Sequence, residues 1–494
     1  VQTNSLSALF FKWCRQNPGL TLTGMLGLVL VFGISFAFIG PKLTLVMLVG
    51  CGFLLLAAYN YMYVLGLLVF VQVLNPPYFR VPLIPGLPAF PPSLIILLVI
   101  SILTVLDMIA QPRDWKSGPW SHPFTWVLII YSFVLLLSLI DDRSTSSSFN
   151  LWFQGIFIPF VFFIVLSRAI RGVDEIEFIL KVMLFAAVCG AIYSFPEFIL
   201  KKNIVFTTFA SSTLSSSDIT QLSQTNVNSQ MNAYRAFSFF SNPILFGAYV
   251  GMLYPYSLLR FATSSTRRLR LFFAVVTLLL LWGLFSTFSR GPLLAVIMST
   301  LFLAVAVKPI RRIVGIGAIV IVAVIFISWP WTGSKISHRV GDIDNIMIRF
   351  RLSELLLYTF ADHPVKGVGL GNFQYYQMDV VRKYSLGPFT EDLNILRVGD
   401  NTYLQLLAET GIIGISSFFL LLIVYFKTNY RSLLVSGSRE WIIALSLGGS
   451  MLVFMFNAMT MTAYTHYDIT MIMAIFMALT VSLNQSVQRG NDAV

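Results

Sequence analysis

The sequence predicts an all-α fold: a polytopic membrane bundle of about 12–14 transmembrane helices with a helical extramembrane loop region. Three observations carry that prediction. Of 494 residues, 57% are hydrophobic and 11% charged, where a soluble domain has about a quarter charged. Apolar runs long enough to cross hydrocarbon, which takes about 20 residues, recur along the chain. The basic residues collect on alternate connections between those runs, as a membrane topology signal requires. A soluble enzyme, a disordered chain and a disulfide scaffold are excluded on these grounds.

The N-terminal part, 1–198, holds apolar runs at 21–40, 43–58, 61–75, 92–110, 125–140, 151–167 and 176–198. The second and third are short enough to form one bent hairpin or a re-entrant pair. The first is too long for a cleaved signal peptide, and no small-residue cleavage site follows it. A connection at 199–243 contains the polar stretch SSTLSSSDITQLSQTNVNSQ, 211–230, which lacks apolar periodicity and reads as mobile. The central part, 244–329, brings runs at 244–262, 271–288, 291–307 and 313–329. A second long connection, 330–404, is too long to be structureless. Within it IMIRFRLSELLLYTF, 346–360, has helix-forming composition and stops ahead of His363-Pro364, since proline disfavours helix in the residue before it. GVGLGNF, 367–373, reads as a turn. The C-terminal part, 405–494, adds runs at 405–426, 441–461 and 467–484.

The net charge is +12, from 33 basic and 21 acidic residues. With the N-terminus cytoplasmic, the inside connections collect Arg267, Arg268, Arg270, Lys308, Arg311, Arg312 and others. The short outside ones hold Lys42, Arg80, Arg143 and Arg290. That asymmetry predicts an even number of spans, both termini inside, and the long connections 199–243 and 330–404 outside. The charge excess is either this topology signal or a match to an anionic substrate. It gives no reason to expect nucleic acid. Three cysteines (Cys14, Cys51, Cys189) and four histidines make no disulfide framework and no zinc spacing. Asp342, Asp344 and Asn345 lack the rest of a calcium loop. No metal or other cofactor is expected.

Five motifs could carry chemistry. In YRAFSFFSNPILFG, 234–247, Arg235 precedes an Asn-Pro turn into a span. A guanidinium there suits a phosphate, or snorkels to lipid headgroups. In FSRGP, 288–292, glycine and proline explain the turn, but Arg290 at membrane level does not follow from turn chemistry. Arg349 and Arg351, two residues apart on a helix, point about 200° from one another, so only one faces a given site. Otherwise they belong to a solvated face. HPVKGVGLGNF, 363–373, lacks the strand and the Gly-Lys-Ser/Thr of a phosphate loop and reads as a tight turn packed on the membrane domain. In GDNTYLQLLAETGIIG, 399–414, either Asp400 or Asn401 can cap the helix that follows. Asp400 is then a cap or a carboxylate presented at the membrane surface, with Tyr403 and Glu409 further in. His466, Tyr467 and Asp468 stand at the outer end of the last hairpin.

In this order the motifs resemble the O-antigen ligase/polymerase family of bacterial polysaccharide assembly. The likeness covers roughly residues 230–425: the Arg before Ser-Asn-Pro, the Ser-Arg-Gly turn, the Arg ahead of His-Pro, GVGLGNF, and DNTYLQLLAETGIIG leading into a span. The resemblance implies a glycosyltransferase of the bacterial inner membrane. Its donor would be a glycan on a polyprenyl diphosphate, handled on the extracytoplasmic side without nucleotide or metal, with a chain-length regulator as a possible partner. Ligases of this family carry a histidine immediately before the asparagine of the last motif. Here that position is Asp400, which looks more like the polymerase branch. The resemblance then assigns catalysis to Asp400, Arg290 and Arg349, and substrate binding to Arg235, Arg351, Asn401, Tyr403, Glu409 and His466. A ligase is the nearest alternative. A transporter of a small anion or lipid-linked glycan is the alternative of another class, and it would need ionisable groups gathered near the bilayer midplane. Lys181, Asp107 and Asn457, the main polar candidates in the spans, do not cluster in sequence.

Overall fold

The computed structural model describes residues 61–74, 119–140, 145–210, 227–228, 233–315, 343–384, 399–435 and 437–492, with parts of 93–104. The expected spans at 21–40 and 43–58, most of those at 92–110 and 313–329, and nearly all of the polar stretch 211–230 lie outside the described residues. In chain order the helices are α1 (Tyr61–Leu74), α2 (Pro123–Leu137), α3 (Ser146–Ala169), α4 (Val173–Leu200), α5 (Ile204–Ala210), α6 (Pro243–Thr263), α7 (Arg267–Ser286), α8 (Arg290–Ala306), α9 (Ile343–Asp362), α10 (Phe373–Lys383), α11 (Thr402–Val435), α12 (Ser438–Asn457) and α13 (Tyr467–Asp492). The described residues also include helical stretches at 308–315 and within 93–104, short helical turns, and a two-residue antiparallel ladder, β1 (Val227–Asn228) with β2 (Ala233–Tyr234). Among the described residues seven helices, α3, α4, α6, α7, α11, α12 and α13, are long and apolar enough to cross a membrane; α1, α2 and α8 are shorter apolar helices. The fold is therefore the polytopic helical membrane protein that the composition predicts.

Local chemistry sets the helix ends. α6 starts at Pro243, a proline in the first turn where its missing N–H costs nothing, with Asn242 accepting from the Leu245 N–H at 3.0 Å. α7 starts after Thr266, whose hydroxyl accepts from Leu269 N. Between α7 and α8 only residues 287–289 turn the chain, and Phe288 takes a left-handed φ of 47° to do it.

α6 and α13 form the centre, each 83% buried along its apolar window, whereas α7 is 39% buried and lies at the perimeter. α6 packs on α7, α8 and α12; α8 packs on α12, α2 on α11, and α3 on α13. Perimeter side chains such as Leu271, Val305 and Ile423 are more than 60% exposed. An apolar surface of that kind fits hydrocarbon rather than water.

Because the helices alternate in direction, the described parts of the connections at 201–210, 233–242, 287–289, 363–384, 399–401 and 458–466 meet at one end of the bundle, called here the loop end. A different kind of join fastens the opposite end. Glu177 of α4, 3% exposed, accepts from Arg260 of α6, from Arg439 Nε of α12 at 2.9 Å, and from Lys181 at 3.2 Å. Arg439 also pairs with Asp174 at 2.6 Å.

Candidate functional site at the loop end

The first half of the site is built where the segment before α6 crosses the turn between α7 and α8. Ala236 N donates to Ser286 O at 2.9 Å, which lays residues 234–238 along the turn. Arg235 then reaches across it: Nε donates to Thr287 O at 3.2 Å and Nη2 to Ser289 Oγ at 2.9 Å. Arg290 is the next residue after Ser289 and is exposed. Two arginines separated by more than 50 residues of sequence thus share one turn, and both sit at the mouth of the bundle.

The second half lies at the start of α11. Asn401 is the helix cap, its Oδ1 accepting from Tyr403 N at 3.0 Å and Leu404 N at 3.1 Å. That resolves the pair of capping candidates and leaves Asp400 for another task. Asp400 Oδ2 lies 3.3 Å from Arg349 Nη2 of α9, and both side chains are 48% exposed. Burial of part of the carboxyl pushes its pKa up from the ordinary aspartate range, and Arg349 pulls it the other way.

The connector 458–466 joins the halves. Thr402 N donates to Ala458 O at 2.8 Å, and Thr402 Oγ1 donates to Met461 O at 2.6 Å. Thr462 Oγ1 donates to Gly399 O, directly beside Asp400. Two residues earlier, Thr460 lies so close to Gly291, the neighbour of Arg290, that a Cβ there would collide with it. One short connector therefore touches a residue adjacent to Arg290 and a residue adjacent to Asp400. Thr460 and Thr462 are not distinguished by any motif; the signal they carry is polar character in a stretch between two spans.

Glu409 stands apart from this mouth. It is fully buried, accepting from Gln405 Nε2 at 2.9 Å, Tyr464 OH at 2.6 Å and Gly371 N at 2.7 Å. Its surroundings are the GVGLGNF turn, where Gly367, Gly369 and Gly371 all take left-handed φ values that only glycine adopts cheaply. α11 kinks at Gly411 (φ 65°, ψ −164°), and the turn docks there. Val368 N donates to Ala408 O at 3.1 Å, Gly369 N to Glu409 O at 2.8 Å, and Ile412 N back to Pro364 O at 2.9 Å. Carbonyls that lose helical partners at the kink are satisfied by the turn instead. This is the structural turn that its glycines suggested.

The other sequence candidates are dispersed. Arg351 is half-buried on α9, and it is Arg349 of this helix that pairs with Asp400. Tyr403 donates to Met455 O at 2.9 Å and stacks on Phe419, so it ties α11 to α12. His466 closes the connector; burial lowers its pKa to about 4, so it is a neutral imidazole at neutral pH. A cavity of about 400 Å³ opens beside the turn, lined by His363, Lys366, Gly369, Tyr376 and Ile140. Tyr375 is 43% exposed nearby. Among the described residues no three His, Cys, Asp or Glu side chains gather as a metal site requires.

Residues 275–419 match the family model described as O-Antigen ligase. The match runs from α7 through the start of α11 and takes in Arg290, Arg349, Asp400 and Glu409, leaving Arg235 and His466 outside it. No curated protein matches the chain.

Proposed function

We propose that this chain, which carries an O-antigen ligase domain and so falls in the O-antigen ligase/polymerase family, is a polymerase that joins glycan repeat units carried on polyprenyl diphosphate. In the proposed reaction an acceptor hydroxyl attacks the anomeric carbon of the donor. The C–O bond to the diphosphate breaks, its electron pair leaves on the phosphate oxygen, and the acceptor proton passes to Asp400. The products are a longer lipid-linked glycan and free polyprenyl diphosphate. Arginine suits both tasks at the diphosphate: its planar fork pairs with phosphate oxygens, and its fixed charge stabilises the negative charge that grows as the bond breaks. Direct attack inverts the anomeric centre.

The observation that carries this reading is the gathering of Arg235, Arg290, Arg349 and Asp400 at the loop end, linked through 286–289 and 458–466. The opposite end exposes Arg267, Arg268 and Arg270 in the first turn of α7, which supports placing it in the cytoplasm and the loop end outside the inner membrane. The cavity beside Tyr376 is placed to receive acceptor sugars, and a chain-length regulator would act at the same face. The ligase alternative rests on a histidine where this chain has Asp400. Against transport, Lys181 pairs with Glu177 at the far end, so it contributes nothing to a midplane site.

Replacing Arg235, Arg290 and Arg349 singly by Lys keeps each charge and loses the fork. Each variant is expected to reach the membrane at wild-type level and to make markedly less polymer, with single repeat units accumulating on the lipid carrier. Wild-type polymer from all three would refute the diphosphate role. An intact lipid-linked polymer that never reaches a final acceptor would identify a ligase instead.

A further inference from the structure

The arginine proposed to hold the donor diphosphate is set by a carboxylate that the reaction itself does not use. Glu197 lies near the loop end of α4, one residue after Pro196, and is 1% exposed. Its Oε1 accepts from Tyr234 OH at 3.0 Å and from Phe237 N at 3.0 Å; its Oε2 accepts from Ser238 N at 2.9 Å. The three donors come from residues 234, 237 and 238, so one buried group grips the chain on both sides of Arg235. The last of them, Ser238, holds a left-handed φ of 53°, an uncommon state for a residue with a Cβ. It is kept there by further bonds: its carbonyl accepts from Asn203 Nδ2 at 2.7 Å and its hydroxyl donates to Gly190 O at 3.1 Å. Between these anchors, Ala236 N and the Arg235 guanidinium meet the 286–289 turn. A buried carboxylate receiving three donors is a costly thing to keep without purpose, and these three bonds all go to the segment that carries Arg235.

We infer that Glu197 is a positioning residue for Arg235, acting on diphosphate binding by holding residues 234–238 in the one conformation that lays the guanidinium across the 286–289 turn. The inference rests on the proposed role of Arg235. The two sets of bonds are separate: the Glu197 oxygens take donors from residues 234, 237 and 238, while the Arg235 guanidinium donates to Thr287 O and Ser289 Oγ. A glutamine cannot replace Glu197, because its amide nitrogen would confront either Ser238 N–H or the Tyr234 and Phe237 donors, donor against donor.

The test is a double-mutant cycle on the full chain in lipid nanodiscs, with polyprenyl diphosphate bearing no sugar as the probe. Glu197→Gln is expected to weaken binding about tenfold, and Arg235→Lys at least as much. The double variant is expected to bind no more weakly than Arg235→Lys alone, because the carboxylate acts only through that side chain. Tyr234→Phe removes one of the three donors and is expected to weaken binding about threefold; it decides the matter if Glu197→Gln fails to accumulate in the membrane. Wild-type affinity in Glu197→Gln, or in Tyr234→Phe where it stands alone, overturns the inference. So does a double variant whose loss is the product of the two single losses, since that places Glu197 on a route of its own while leaving the role of Arg235 intact. Wild-type affinity in Arg235→Lys removes the diphosphate reading of Arg235 itself, and the inference with it.

Discussion

Asp400→Asn separates chemistry from architecture at the start of α11. The helix cap is Asn401, whose Oδ1 takes both Tyr403 N and Leu404 N, so Asp400→Asn leaves the cap untouched. What the substitution removes is an ion pair at 3.3 Å between two side chains that are each 48% exposed. Pairs so open to solvent contribute about 0–1 kcal/mol. Asn401→Ala is the contrasting variant, expected to cost about 1 kcal/mol through the lost cap. If Asp400 takes the acceptor proton, Asp400→Asn should lower the rate by about 10²- to 10⁴-fold, the usual range for a general base. The assay reads polymer length and lipid-linked repeat units beside protein abundance and thermal stability in the purified membrane protein. The expected result is a stable Asp400→Asn protein without polymer, and a less stable Asn401→Ala protein that still polymerises. An active Asp400→Asn enzyme would refute the catalytic assignment and leave Asp400 as a partner of Arg349 only.

Glu409 gives the opposite expectation. It is fully buried, and Glu409→Ala would strip partners from Tyr464 OH and Gly371 N, at about 1–3 kcal/mol for each buried group left unsatisfied. The expected outcome is a fall in membrane-inserted protein and melting temperature, with the residual protein keeping its rate per molecule; a stable, inactive Glu409→Ala protein would give this residue a chemical role. The pH profile supplies a further check. The pKa of Asp400 is raised by burial and lowered by Arg349, so the base form is lost as pH falls through a value above the ordinary aspartate range of about 3.9. Arg349→Gln removes the lowering influence, and the acid limb of the residual activity should move to higher pH; a limb that stays in place, or moves down, would exclude Asp400 as the titrating base.

Much of the bundle was legible because membrane physics writes itself into composition. The run expected at 244–262 appears as Pro243–Thr263 and that at 176–198 as Val173–Leu200, each set by a recognisable cap or apolar stretch. The run expected at 405–426 is shorter than its helix, which extends over Thr402–Val435. The polar positions Thr428, Asn429 and Ser432 broke the apolar pattern there. They are buried, with Asn429 Nδ2 donating to Ala444 O at 2.9 Å across a helix pair, so they belong to packing rather than to a loop. The site was legible only in part. Arg235, Arg290 and Asp400 stand out as charges at run boundaries, where a charge needs a reason, and Arg349 as a charge on the helix expected within the long 330–404 connection. Asp400 and Asn401 could not be told apart as caps, because both side chains cap equally well and only the backbone at 402–404 decides. Glu409 looked like a site residue because it is a carboxylate beside one; its burial under the GVGLGNF turn depends on a kink at Gly411 that no local pattern announces. Glu197 was invisible, since its partners lie about 40 residues away across a segment without periodicity.

The two halves of the proposed site differ in how firmly they are held, and the difference suits a reaction that must bind and release a lipid. Arg235 sits in a frame of backbone bonds anchored by buried groups, and its guanidinium is already bonded to the 286–289 turn. Little conformational freedom remains to be lost there when an anion arrives, which is how a pre-organised donor gains affinity. Arg349 and Asp400 are instead half-exposed and joined by a pair worth little in solvent. In the proposed reaction a diphosphate carrying several negative charges competes for Arg349 against a single carboxylate. Drawing Arg349 toward the donor would free Asp400 of a charge that depresses its basicity, at the moment an acceptor hydroxyl needs a base. Donor binding and base activation would then be one event, with the fixed arginine setting where the diphosphate lies and the loosely paired one reporting that it has arrived.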